Sequence, residues 1–121
     1  MTTNVFVYGT LAPGGEAWPV LARWVAGAGM ADAVAGTLFD TGRGYPAATF
    51  DPDAPDRVHG VVVPLDERRI GAALAALDDY EGPEYERIAV TTAAGHTAYT
   101  YAWIGPVPAG RQVPGGRWTI S

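Results

Sequence analysis

Glycine and proline recur sixteen and ten times in 121 residues, and this punctuation limits every element the chain can build. The stretches between breaks are short and rich in β-branched or aromatic residues, which favours many short strands over long helices. Residues 4–8 (NVFVY) form an apolar run that stops at Gly9, as a buried first strand with a sharp end would. Residues 33–39 and 45–50 read as strands separated by the Gly-rich turn 41–44, followed by a polar loop (DPDAPD, 51–56) that proline keeps out of a sheet interior. Residues 58–65 read as another strand, and 85–92 and 97–104 as a hairpin around Ala94 and Gly95. A short helix is expected over 18–25, where Trp18, Leu21 and Val25 share a face. The one convincing helix is 67–80, with Asp66 as N-cap and Gly82 and Pro83 as its end. The tail from 106 to 116 is expected to be irregular, with a last edge strand at 118–120. About six strands and one or two helices predict an α+β fold with a strongly curved or closed sheet, in one domain covering residues 1–121.

Composition removes much common enzyme chemistry. Cys and Lys are absent, so disulfides, thiolate nucleophiles, Schiff bases and a P-loop lysine are excluded, and Ser121, the only serine, is a poor candidate for the nucleophile of an ordered triad. A net charge of −5 has the wrong sign for broad binding to nucleic acid or an anionic membrane. The opening MTTNVFVYG lacks the basic start of a signal peptide, and no run of 18 apolar residues follows, so a cytoplasmic location is expected. His59 falls in a strand and His96 in the hairpin turn, with no metal-ligand spacing and no histidine–carboxylate cluster; no metal and no cofactor are expected. The four tryptophans read as core or rim packing.

Two features carry chemistry. Ile70, Leu74 and Leu77 mark the helix face that packs on the sheet, and four residues further along that stripe stands Glu81. A carboxylate there either points inward at a cavity or, if the helix frays first, is solvated within the acidic run Asp78, Asp79, Glu81, Glu84 and Glu86. The second feature is Tyr8-Gly9-Thr10-Leu11 directly after the first strand. A glycine at that point lets the chain turn tightly and aim successive backbone N–H groups at a carboxylate or phosphate, or it serves as a turn and nothing more. The glycine spacing does not match a dinucleotide fingerprint.

Residues 5–11 (VFVYGTL) with Pro13 and Gly14, then Gly44-Tyr45-Pro46, then Leu77-Asp78-Asp79-Tyr80-Glu81-Gly82 with Tyr85 and Arg87, closely resemble the γ-glutamylcyclotransferase-like family. Within it they are most similar to the branch of γ-glutamylamine cyclotransferases and plant avirulence-induced-gene proteins. The resemblance implies a small mixed β-barrel flanked by helices, with a cavity for a γ-glutamyl group. It implies that the backbone of Tyr8, Gly9, Thr10 and Leu11 binds substrate and that Glu81 is the catalytic residue, with Tyr45 and Tyr85 as cavity-lining candidates that also read as packing aromatics.

That chemistry suits the composition. The α-amine of a γ-glutamyl amide can attack its own side-chain carbonyl, forming 5-oxoproline and releasing an amine, so the nucleophile belongs to the substrate. The protein supplies orientation and one acid/base group. The expected partner is therefore a small γ-glutamyl molecule whose leaving amine, like the oligomeric state, the sequence does not assign. The alternatives are a non-catalytic acidic-metabolite-binding or regulatory protein on the same fold, and a hydrolase in which Glu81 activates water to give glutamate.

Overall fold

The computed structural model describes residues 2–107 and 111–118. Six strands, β1 (Asn4–Val7), β2 (Met30–Asp40), β3 (Pro46–Phe50), β4 (Arg57–Pro64), β5 (Tyr85–Thr91) and β6 (Thr97–Trp103), form one mixed sheet in the order β3-β2-β4-β1-β6-β5. Every pairing is antiparallel except β1 with β6, where Val5 lies beside Tyr99. The sheet curls until β3 approaches β6, and it is a half-barrel with one main helix.

Central strand β1 is apolar from Val5 to Val7 because both of its faces are covered there. Val5 and Val7 pack with Leu21, Val63, Leu74 and Leu77 under the helices. Phe6 points the other way, into the curl, with Val34, Leu38, Ala48, Val58, Val62 and Ala98. The curl is strengthened across its open seam, where no strand ladder joins the edge strands β3 and β5: the Tyr85 hydroxyl donates to the Pro46 carbonyl oxygen at 2.7 Å.

The helices differ in detail from expectation. The first, α1 (Trp18–Ala22), is one short turn and ends three residues early. Asp66 caps as expected, its carboxylate accepting from the Arg68 N–H at 3.0 Å, but the turn it caps (Glu67–Arg69) is a 3-10 turn that leads into α2 (Ile70–Glu81). Ala73, Leu74 and Leu77 are buried on the sheet side of α2. Gly82, at φ 78°, stops the helix in a conformation that residues with a Cβ rarely adopt.

Two expectations are corrected. His96 is not isolated from carboxylates: its Nδ1 lies 3.1 Å from Oδ2 of Asp32, whose buried side chain also accepts from the Ala33 and Ala94 amides and ties the hairpin turn to β2. Trp118 is not in a strand; the rest of the expected last strand, 119–120, lies outside the described residues. The preceding tail bridges to β2 through Phe39 and Gln112.

Leu77 is fully buried between α2 and the sheet. Leu77→Ala is expected to cost about 2–5 kcal/mol of unfolding free energy, measured by urea denaturation. A change within ~0.5 kcal/mol, the range of surface substitutions, would contradict this packing.

Candidate active site

The C-terminal end of β1, the start of β3, the start of β5 and the last turn of α2 meet around a cavity of about 620 Å³. All seven residues singled out from the sequence line it: Tyr8, Gly9, Thr10, Leu11, Tyr45, Glu81 and Tyr85. Arg43, Glu16, Tyr80, Glu84 and Tyr101 also line it and were not singled out.

Glu81 ends α2 half-buried, and among the described residues its carboxyl group makes no hydrogen bond or ion pair. Burial without a compensating partner pushes it up from 4.5 to about 7. The helix does not fray before it. Asp78, one turn earlier, accepts a hydrogen bond from the Tyr101 hydroxyl of β6 at 2.7 Å and pairs with Arg87 of β5 at 3.1 Å. The Gly82 N–H closes the turn by donating to the Asp78 carbonyl oxygen at 3.0 Å.

The loop after β1 differs from expectation in one respect. Gly9 does not have a positive φ, nor do Thr10 and Leu11, so the turn is not a left-handed anion nest. The Ala12 N–H donates to the Gly9 carbonyl oxygen at 3.0 Å, while the amides of Gly9, Thr10 and Leu11 have no acceptor among the described residues. Successive free donors in a right-handed turn resemble the first turn of a helix. Glycine is required at position 9 by space: a Cβ there would meet Cγ of Pro46 at 2.7 Å. Thr10 reaches the helix side, where its hydroxyl lies 3.3 Å from that of Tyr80.

Arg43 stands at the mouth, on the turn between β2 and β3. Its guanidinium lies over the rings of Tyr45 and Trp103 and donates to Glu84 at 3.1 Å. The Tyr8 hydroxyl donates to the Tyr101 carbonyl oxygen at 2.5 Å. Burial holds the phenols of Tyr8 and Tyr85 above their ordinary range, helped for Tyr8 by Tyr85 and then Glu81 and for Tyr85 by Glu81. No cluster of three metal-ligating side chains occurs among the described residues, and no helix there is long and apolar enough to cross a membrane.

A family model described as "Gamma-glutamyl cyclotransferase, AIG2-like" matches residues 5–120. No curated protein matches the chain. Among solved structures, the chain resembles YkqA from Bacillus subtilis at 23% identity and a TM-score of 0.72, covering 98% of this chain but only 40% of that protein's length. An uncharacterized protein from Pyrococcus horikoshii matches with 19% identity and a TM-score of 0.72, covering 96% and 89% of the two chains. An AIG2-like protein from Mus musculus matches with 20% identity and a TM-score of 0.60, covering 88% and 80%. At these identities the structural likenesses establish the fold.

Because the Glu81 carboxyl is raised, the native state binds a proton there that the unfolded chain has released, between pH 4.5 and about 7. The contribution is therefore fully present below pH 4.5 and lost as pH rises through about 7. Glu81→Gln removes this loss, so the variant's stability relative to the parent should rise with pH across that window. Urea denaturation at a series of pH values tests this; parallel curves for the two proteins would contradict it.

Proposed function

The chain belongs to the γ-glutamyl cyclotransferase, AIG2-like family, and on that premise we propose that it is a γ-glutamyl cyclotransferase that converts a γ-glutamyl amide into 5-oxoproline and a free amine. The observation that carries the proposal is an unpartnered, half-buried carboxyl, Glu81, in the cavity bordered by the free amides of the Gly9–Leu11 turn.

In the reaction, the substrate α-ammonium first gives a proton to Glu81. The freed amine attacks the γ-carbonyl carbon, a C–N bond forms, and a five-membered lactam closes. The old amide C–N bond then breaks as its nitrogen takes the proton from Glu81. The second proton of the former ammonium follows, leaving a lactam N–H on one product and an ammonium on the other. Orientation does much of the work, because amine and carbonyl already belong to one molecule. A carboxyl that titrates at about 7 can both accept and return a proton near neutral pH. The amides of Gly9, Thr10 and Leu11 take the substrate α-carboxylate as hydrogen-bond donors, and Tyr45 packs against the glutamyl chain.

Glu81→Gln is expected to lower kcat on a γ-glutamyl amide by about two orders of magnitude or more while the fold persists, with 5-oxoproline and the amine quantified by mass spectrometry. A panel of γ-glutamyl amides, with and without a carboxylate on the leaving amine, identifies the substrate class. Near-normal turnover in the Gln variant would sink the mechanism, and no turnover on any amide would favour the binding protein.

Gly9→Ala places a methyl group against Pro46 and shifts the turn. It should raise KM while leaving the Glu81 titration midpoint in place; an unchanged KM would count against the turn as the carboxylate site.

A further inference from the structure

Five of the six tyrosines line the cavity, and three of these have committed their hydroxyl protons within the protein. Tyr8 donates to the Tyr101 carbonyl oxygen, Tyr85 to the Pro46 carbonyl oxygen and Tyr101 to the Asp78 carboxylate. Their partners can only accept, so the direction of each bond is fixed. A phenol whose proton is committed offers only lone pairs to a third group.

Tyr101 spends its hydroxyl on Asp78, an exposed residue of α2. Tyr8 and Tyr85 differ, because each donates to the backbone of another residue of the cavity wall and keeps its oxygen beside the cavity that Glu81 lines. This part of the cavity therefore presents two phenol oxygens and a carboxyl as acceptors. Donors lie elsewhere on the wall, in the free amides of the Gly9–Leu11 turn and in Arg43 at the mouth. Such a division suits a ligand with an ammonium and a carboxylate on the same carbon atom.

We propose that Tyr8 and Tyr85 bind substrate as hydrogen-bond acceptors, their phenol oxygens receiving N–H bonds from the α-ammonium beside Glu81. The inference rests on the γ-glutamyl reading above. It gives the Tyr8 side chain a role and turns Tyr85 from a packing aromatic into part of an ammonium cradle, and it makes a free α-ammonium a condition of binding as well as of reaction. The cradle holds the ammonium so that a proton can pass to Glu81.

The test is a binding cycle by calorimetry in the Glu81→Gln background, which prevents turnover. The probes are the γ-ethylamide of L-glutamate and the monoethylamide of glutarate, the same molecule without the α-amine. The amine-bearing probe should bind tighter. Adding Tyr8→Phe or Tyr85→Phe should shrink the ratio of the two affinities about tenfold, as expected for a lost hydrogen bond to a charged group. Affinity for the glutarate probe should stay within about twofold.

A merely structural role would weaken both probes together and leave the ratio unchanged, which overturns the cradle while the γ-glutamyl reading stands. Binding of neither probe would overturn both. Tyr8→Phe keeps the test decisive if loss of the Tyr85 to Pro46 bond unfolds the other variant.

Discussion

The last turn of α2 is held down from two strands, and the chemistry of the cavity depends on that hold. Leu77 fixes the turn by burial, while Asp78 fixes it by polar contacts to Tyr101 on β6 and Arg87 on β5. A free helix end would fray and expose Glu81 to water, where a carboxyl keeps its ordinary acidity. Pinned, it stays half-buried without a partner and is raised to about 7. The Asp78–Arg87 pair is exposed enough to contribute little stability by itself. Its value is geometric, because the Tyr101 bond to the same carboxylate sets where the helix ends against the sheet.

The curl of the sheet supplies the other half of the site. An open mixed sheet leaves its edges apart, but here Tyr85 reaches from β5 to the Pro46 carbonyl of β3, and Arg43 reaches Glu84 across the same seam. These contacts bring the starts of both edge strands to the cavity. In the proposed reaction the substrate attacks itself, so a chain without Cys or Lys needs only a mould and one proton carrier.

Local pattern made much of this legible. The apolar run 4–8, the Asp66 cap, the Leu74 and Leu77 stripe and the glycine stop at 82 each follow from nearest-neighbour physics, and the structure has β1 and α2 where they point. Glu81 could be singled out because one more helical turn extends the stripe to it. Tertiary contacts were not legible. Nothing local in the sequence says that Arg43 will stack on Trp103, that Asp32 will meet His96, or that Tyr101 will bond to Asp78. Gly9 shows the difference most clearly. Its position in the motif is plain, yet its physical cause is the ring of Pro46, 37 residues later in the chain, rather than its own φ.

The central claim is that the nucleophile belongs to the substrate and that Glu81 only moves protons. Running the reaction in water enriched in heavy oxygen and weighing the products tests it most directly. The account predicts unlabelled 5-oxoproline together with an equal amount of free amine, since no water enters the bond that forms. Glutamate carrying one heavy oxygen in its side-chain carboxylate would contradict it, because Glu81 would then be activating water.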